Sequence, residues 1–147
     1  MKHFYLLTIA LLLGFSAKSQ ILTPVKWSYA AKRTSKTTGI LFIKASIDNG
    51  WHIYSQNLPK GGPIKTTIKF TPSATYRLIG NTSEPKPITK YEDTFHMNVG
   101  YFEKVVVFQQ KITLKAGKHI IKGSVSFMSC NEKQCLPEDT MSFSIPI

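Results

Sequence analysis

Leu41-Phe42-Ile43-Lys44-Ala45-Ser46-Ile47 runs directly into Asp48-Asn49-Gly50. Leu41, Ile43, Ala45 and Ile47 form an apolar set at spacing two, interleaved with Phe42, Lys44 and Ser46. Side chains of an extended chain point alternately to two faces, so the stretch predicts a half-buried strand ended by a turn. The same period extends outward in both directions. Val25, Trp27 and Tyr29 alternate with Lys26 and Ser28, and Ile64, Thr66, Ile68 and Phe70 with Lys65, Thr67 and Lys69. Phe102, Val106, Phe108, Ile112 and Leu114 share a parity, as do Ile121, Val125 and Phe127, and Met141, Phe143 and Ile145. Turn signals separate these runs at Lys60-Gly61-Gly62-Pro63, Thr71-Pro72-Ser73, Gly80-Asn81-Thr82-Ser83 and Ala116-Gly117-Lys118. No window keeps a helical period. Six to nine short strands predict an all-β protein, an immunoglobulin-like antiparallel β-sandwich, with a closed barrel as the alternative.

The N-terminus reads as a targeting segment. Lys2 and His3 precede the apolar run Phe4–Phe15, and Ala17-Lys18-Ser19 has the small-x-small form of a cleavage site. Residues 1–19 are therefore expected to be a signal peptide and residues 20–147 one β-sandwich domain. The apolar run is shorter than the roughly 20 residues a spanning helix needs, and no second run is longer. The mature protein is expected to be periplasmic or secreted, without a direct membrane span. It is long enough to bury a core without disulfide staples.

Charge excludes less than it first promises. The chain holds 19 Lys and Arg against 8 Asp and Glu. The lysines are scattered singly among apolar residues, as on the wet face of a sheet, so no nucleic-acid partner is expected.

The chemistry points to the segment from Val125 to Asp139, which holds both cysteines, Cys130 and Cys135, with four polar residues between them. A strand runs into Cys130 and another strand-like run follows Pro137. Facing positions on antiparallel strands bring Cβ atoms to about 4.5–5.5 Å, close to what a disulfide needs. An exported pair meets an oxidising compartment. The ring closed by such a bond stabilises by only about 2 kcal/mol in the chain-entropy picture. A local, accessible bridge of this kind suits exchange, and it also suits a plain staple. By parity Cys130 falls with Met128, opposite Val125 and Phe127, and is expected to point away from the main core.

Other constellations are weaker. The spacing is not that of a thioredoxin-type motif. His52, His96 and His119 lack metal-ligand spacing, so no metal and no cofactor are expected. Residues 83–101 (SEPKPITKYEDTFHMNVGY) break the alternation and read as a long irregular loop.

Three segments in order resemble a known family, the N-terminal periplasmic domain of DsbD, the bacterial transmembrane thiol:disulfide interchange protein. They are Asp48-Asn49-Gly50-Trp51-His52-Ile53-Tyr54, Tyr91-Glu92-Asp93-Thr94-Phe95, and the cysteine turn with Cys135-Leu136-Pro137-Glu138. The chain departs from the family in having four rather than five residues between the cysteines, and a single Pro137. The resemblance implies an immunoglobulin-like fold with the cysteines on adjacent strands. It also implies a cap loop whose Phe95 shields them, with Tyr54 lining the site and Glu92 and Asp93 assisting proton handling. Cys130 and Cys135 would be the redox pair and Cys135 the attacking thiol.

The expected activity is of the protein-disulfide reductase type. Reducing equivalents would pass from a thioredoxin-like or membrane electron-donor protein to exported disulfide-containing proteins, for disulfide correction or cytochrome c maturation. Because the chain stops at Ile147, the donor is expected to be a separate protein or to be missing. The competing expectation is a non-catalytic secreted binding module with a structural disulfide, using residues 83–101 as its surface.

Overall fold

The structure is a computed structural model and describes residues 22–147. The expected signal peptide, residues 1–19, lies outside the described residues.

Eleven strands follow in order: β1 (Val25–Arg33), β2 (Thr38–Ile47), β3 (His52–Tyr54), β4 (Thr67–Phe70), β5 (Tyr76–Ser83), β6 (Ile88–Glu92), β7 (Met97–Glu103), β8 (Val105–Leu114), β9 (Ile120–Phe127), β10 (Ser129–Cys130) and β11 (Asp139–Pro146). They form three antiparallel sheets, ordered β1-β2-β8-β5, β10-β3-β7-β6 and β11-β9-β4. The architecture is an immunoglobulin-like β-sandwich. Alternation decides what each face does. Leu41, Ile43, Ala45 and Ile47 of β2 and Val106, Phe108, Ile112 and Leu114 of β8 are buried. They meet Ile121, Val125, Phe127, Phe143 and Ile145 of the β11-β9-β4 sheet. Ile53 and Phe102 bring the inner face of the β10-β3-β7-β6 sheet into the same core.

Two single-residue connections tie that sheet to the others. Phe102 and Val106 share a parity, yet β7 and β8 belong to different sheets. Lys104 between them has φ 61°, and the chain changes direction there. Met128 alone separates β9 from β10, which again lie in different sheets.

Three expectations are corrected. Gly80-Asn81-Thr82-Ser83 is not a turn but part of β5, with the register against β8 shifting between Ile79 and Ser83. Gly80 has φ 65°, the left-handed conformation a bulge can use. The buried Gln110 amide fills the gap. It donates to the Ile79 carbonyl at 3.2 Å and accepts from the Thr82 hydroxyl at 2.8 Å. Residues 83–101 are not an irregular loop either. After Pro85 and Pro87 they fold into the β6–β7 hairpin, whose four-residue tip is Asp93–His96. β6 is an edge strand, exposed along most of its length, so neither face imposes an apolar period. Finally, the strand expected from Ile64 begins only at Thr67. Ile64 is exposed, and the Thr66 hydroxyl is tied to the Tyr54 carbonyl at 2.6 Å.

Candidate functional site: the cysteine pair

β10 places the first cysteine. Ser129 pairs with Ile53 and Cys130 with His52, so two residues extend the site sheet beyond β3. Asn131 then turns the chain. Its side-chain Oδ1 accepts from the backbone N–H of Lys133 and of Gln134, both at 2.8 Å, and its own N–H donates to the Gln134 carbonyl at 2.9 Å. An asparagine that bonds its own following backbone is a standard turn former. Cys135 thereby returns opposite Cys130, with Cα atoms 4.0 Å apart, and the two are disulfide-bonded. The Leu136 N–H donates to the Ser129 carbonyl at 2.9 Å and closes the loop.

The two sulfurs are not equivalent. Cys130 is 1% exposed, packed with Tyr54 and Val99 in a small cluster separate from the main core. Its parity kept it out of that core, as expected. Cys135 is exposed.

An open depression of about 420 Å3 is lined by both cysteines and the residues between them. His52 and Tyr54 of β3, Lys90 and Glu92 of β6, and Thr94 and Phe95 of the hairpin tip complete it. The structure thus brings together Cys130, Cys135, Tyr54, Glu92 and the half-buried Phe95. Asp93 is left out: it is exposed on the tip, and its backbone carbonyl accepts from the His96 N–H at 3.3 Å. Left-handed His96, φ 51°, lets the tip turn without glycine.

The electrostatics are local. Lys90 Nζ lies 2.9 Å from Glu92 Oε1 and 5.5 Å from the centre of the Tyr101 ring. The bond to Glu92 is the main reason the Lys90 ammonium holds its proton more tightly than usual. Burial pushes the Tyr54 phenol up to about 12, with the Glu92 charge adding to it. Burial also lowers the His52 imidazole, helped by the Lys90 charge and opposed by Glu92 and Glu103. His52 Nε2 is 3.3 Å from the Tyr54 hydroxyl. Among the described residues, no cluster of three or more His, Cys, Asp or Glu could hold a metal ion. No helix there is long and apolar enough to cross a membrane.

Two lining residues escaped the sequence reading. His52 belongs to a segment that carries the resemblance but is given no role at the site there, although it sits two positions before Tyr54 and so shares its face. Lys90 gave no signal, because it belongs to an exposed edge strand.

The family described as thiol:disulfide interchange protein DsbD, N-terminal, matches residues 18–146 of the chain. No curated protein matches the sequence. Among solved structures, the fold is similar to the Neisseria meningitidis DsbD N-terminal domain in its reduced form. The TM-score is 0.51 at 18% identity, covering 78% of this chain and 81% of that one. It is also similar to the complex between the DsbD and PilB N-terminal domains of Neisseria meningitidis, with a TM-score of 0.56 at 17% identity over 86% and 88% of the chains. The N-terminal periplasmic domain of ScsB from Proteus mirabilis gives 0.54 at 15% identity, over 88% of this chain and 49% of that one.

Proposed function

The chain belongs to the family of DsbD N-terminal domains, and on that footing we propose that it is an exported thiol–disulfide exchange protein carrying two electrons at a time through Cys130 and Cys135. The observation that carries this reading is the inequality of the two sulfurs within one disulfide, one buried and one exposed. Exchange needs a thiol that a partner can reach and a second that the partner cannot intercept.

In the reduced protein, the Cys135 thiolate attacks a partner disulfide. A mixed disulfide forms and one partner thiolate leaves. The Cys130 sulfur then attacks Cys135 Sγ, closes the internal bond and releases the second partner thiolate. The protein has lost two electrons and the partner disulfide has gained them. Reduction by a thioredoxin-like donor reverses the same steps. Phe95 on the hairpin tip caps the pair, and Tyr54 and Glu92 line the path of approach. A protein partner is in keeping with the complex of the similar Neisseria domain, and a periplasmic setting with the ScsB domain.

Trapping in the native host tests the assignment. Cys130→Ala should accumulate a stable mixed disulfide through Cys135, while Cys135→Ala should trap little. Equal trapping by both variants removes the division of roles. Trapping by neither overturns the exchange reading and leaves the bond a staple.

A further inference from the structure

The mechanism above leaves one buried titratable group without a task. His52 is the register partner of Cys130 across the β3–β10 ladder, and both side chains line the same depression. Facing residues on such a ladder have Cβ atoms about 4.5–5.5 Å apart, with side chains on one face. Both are nearly sealed from water, Cys130 at 1% and His52 at 7% exposure.

The neighbours narrow the choice of base. His52 is faced by Tyr54 from its own strand, by Tyr101 and Glu103 from β7, and by Lys90 and Glu92 from β6; Glu132 and Lys133 stand on the cysteine loop. Tyr54 keeps its proton far above neutrality and cannot accept another. Lys90 is protonated and committed to Glu92. Carboxylates are weak bases near neutrality, whereas imidazole has the affinity that proton transfer there favours. Burial keeps the His52 ring neutral and ready to accept. When its Nε2–H donates to the Tyr54 oxygen, 3.3 Å away, the lone pair sits on Nδ1.

We propose that His52 is the base that takes the Cys130 thiol proton as that sulfur closes the disulfide. The proposal rests on the exchange reading and on Cys135 as the attacking thiol. In the mixed disulfide, the Cys130 S–H proton moves to His52. The Cys130 sulfur bonds to Cys135 Sγ as the bond from Cys135 to the partner breaks. The departing partner sulfur leaves with the electron pair, and the imidazolium returns its proton to that sulfur or to water. Tyr54 is a positioning residue in this step: its hydroxyl, 3.3 Å from Nε2, holds the ring in place.

The test mixes the reduced full-length mature protein with one equivalent of dithiobis(nitrobenzoate), an aromatic disulfide whose released thiolate absorbs visible light. The first release reports attack on the reagent and the second reports ring closure by Cys130. In the wild type, the closure rate should bend at a pH below the ordinary imidazole value of about 6.5. In His52→Gln, the ratio of closure to attack should fall about a hundredfold near pH 7 and recover towards about pH 9, where the thiol ionises unaided. His52→Asn should behave alike. An unchanged ratio in either folded variant overturns the proposal. If both variants unfold, the wild-type profile decides: a bend only in the thiol range overturns it. Failure of the wild type to give the second release at any pH overturns the exchange reading itself, a result distinct from the others.

Discussion

Gly123 of β9 stands directly opposite Phe143 of β11, and the Phe143 ring fills the space that a side chain at position 123 would take. The Lys69 carbonyl closes the same space from β4. Phe70, also paired with Gly123, sets its ring against Phe143 at 5.6 Å between centroids. Overfilling a packed site costs about 1–3 kcal/mol. Gly123→Ala should therefore lower the urea midpoint by a corresponding amount. A midpoint equal to the wild type would mean that the rings yield freely.

Reduction should leave the fold standing. The ring closed by Cys130 and Cys135 spans five positions in sequence, and so short a ring contributes about 2 kcal/mol. The main core contains neither cysteine. Thermal unfolding with and without reductant should show a lowered midpoint and an intact cooperative transition. Loss of the transition would make the bond a structural staple.

Phe95 lines the same depression as the two cysteines, from a four-residue tip. If Phe95 is the cap of the proposed function, its ring hinders small thiols and disulfides, and displacing it admits a partner. Phe95→Ala should speed oxidation of the dithiol by glutathione disulfide several-fold, read by thiol titration over time. An unchanged rate would remove the cap.

Two groups lining the depression make stability depend on pH. The Tyr54 phenol stands at about 12 against an ordinary 10.0, so the folded protein keeps a proton that the unfolded chain releases. Its contribution is whole below pH 10 and is lost as pH rises towards about 12. His52 is lowered from 6.5, so the unfolded chain takes up a proton that the folded protein resists, and stability falls as pH drops below that value. Tyr54→Phe should flatten the alkaline decline and His52→Gln the acid one, measured as unfolding midpoints across pH.

Much of the fold was legible where one face of a strand is dry. β1, β2, β8, β9 and β11 were all read from alternation, because the core side of each strand dictates every second residue. β5 and β6 were not, since both are largely exposed and nothing selects their side chains by face. The bulge in β5 also hid behind Gly80, which reads equally as a turn. At the site, the cysteines, Tyr54, Glu92 and Phe95 came from local motifs that the fold gathers. His52 next to Cys130 is a fact of register between strands far apart in sequence, and no local motif encodes register.

The site sheet is spliced to the rest of the molecule by Lys104 and Met128, one residue at each joint. Neither joint has slack. A partner that tugs on the cysteine loop therefore loads β9 along its length, from Phe127 inward, and a pull on β7 loads β8 in the same way. Force along a strand must shear many ladder bonds together, whereas force across its end would unzip them singly. Load applied at the cysteines would thus fall on β9 and β8, each of them hydrogen-bonded to a neighbouring strand on both sides.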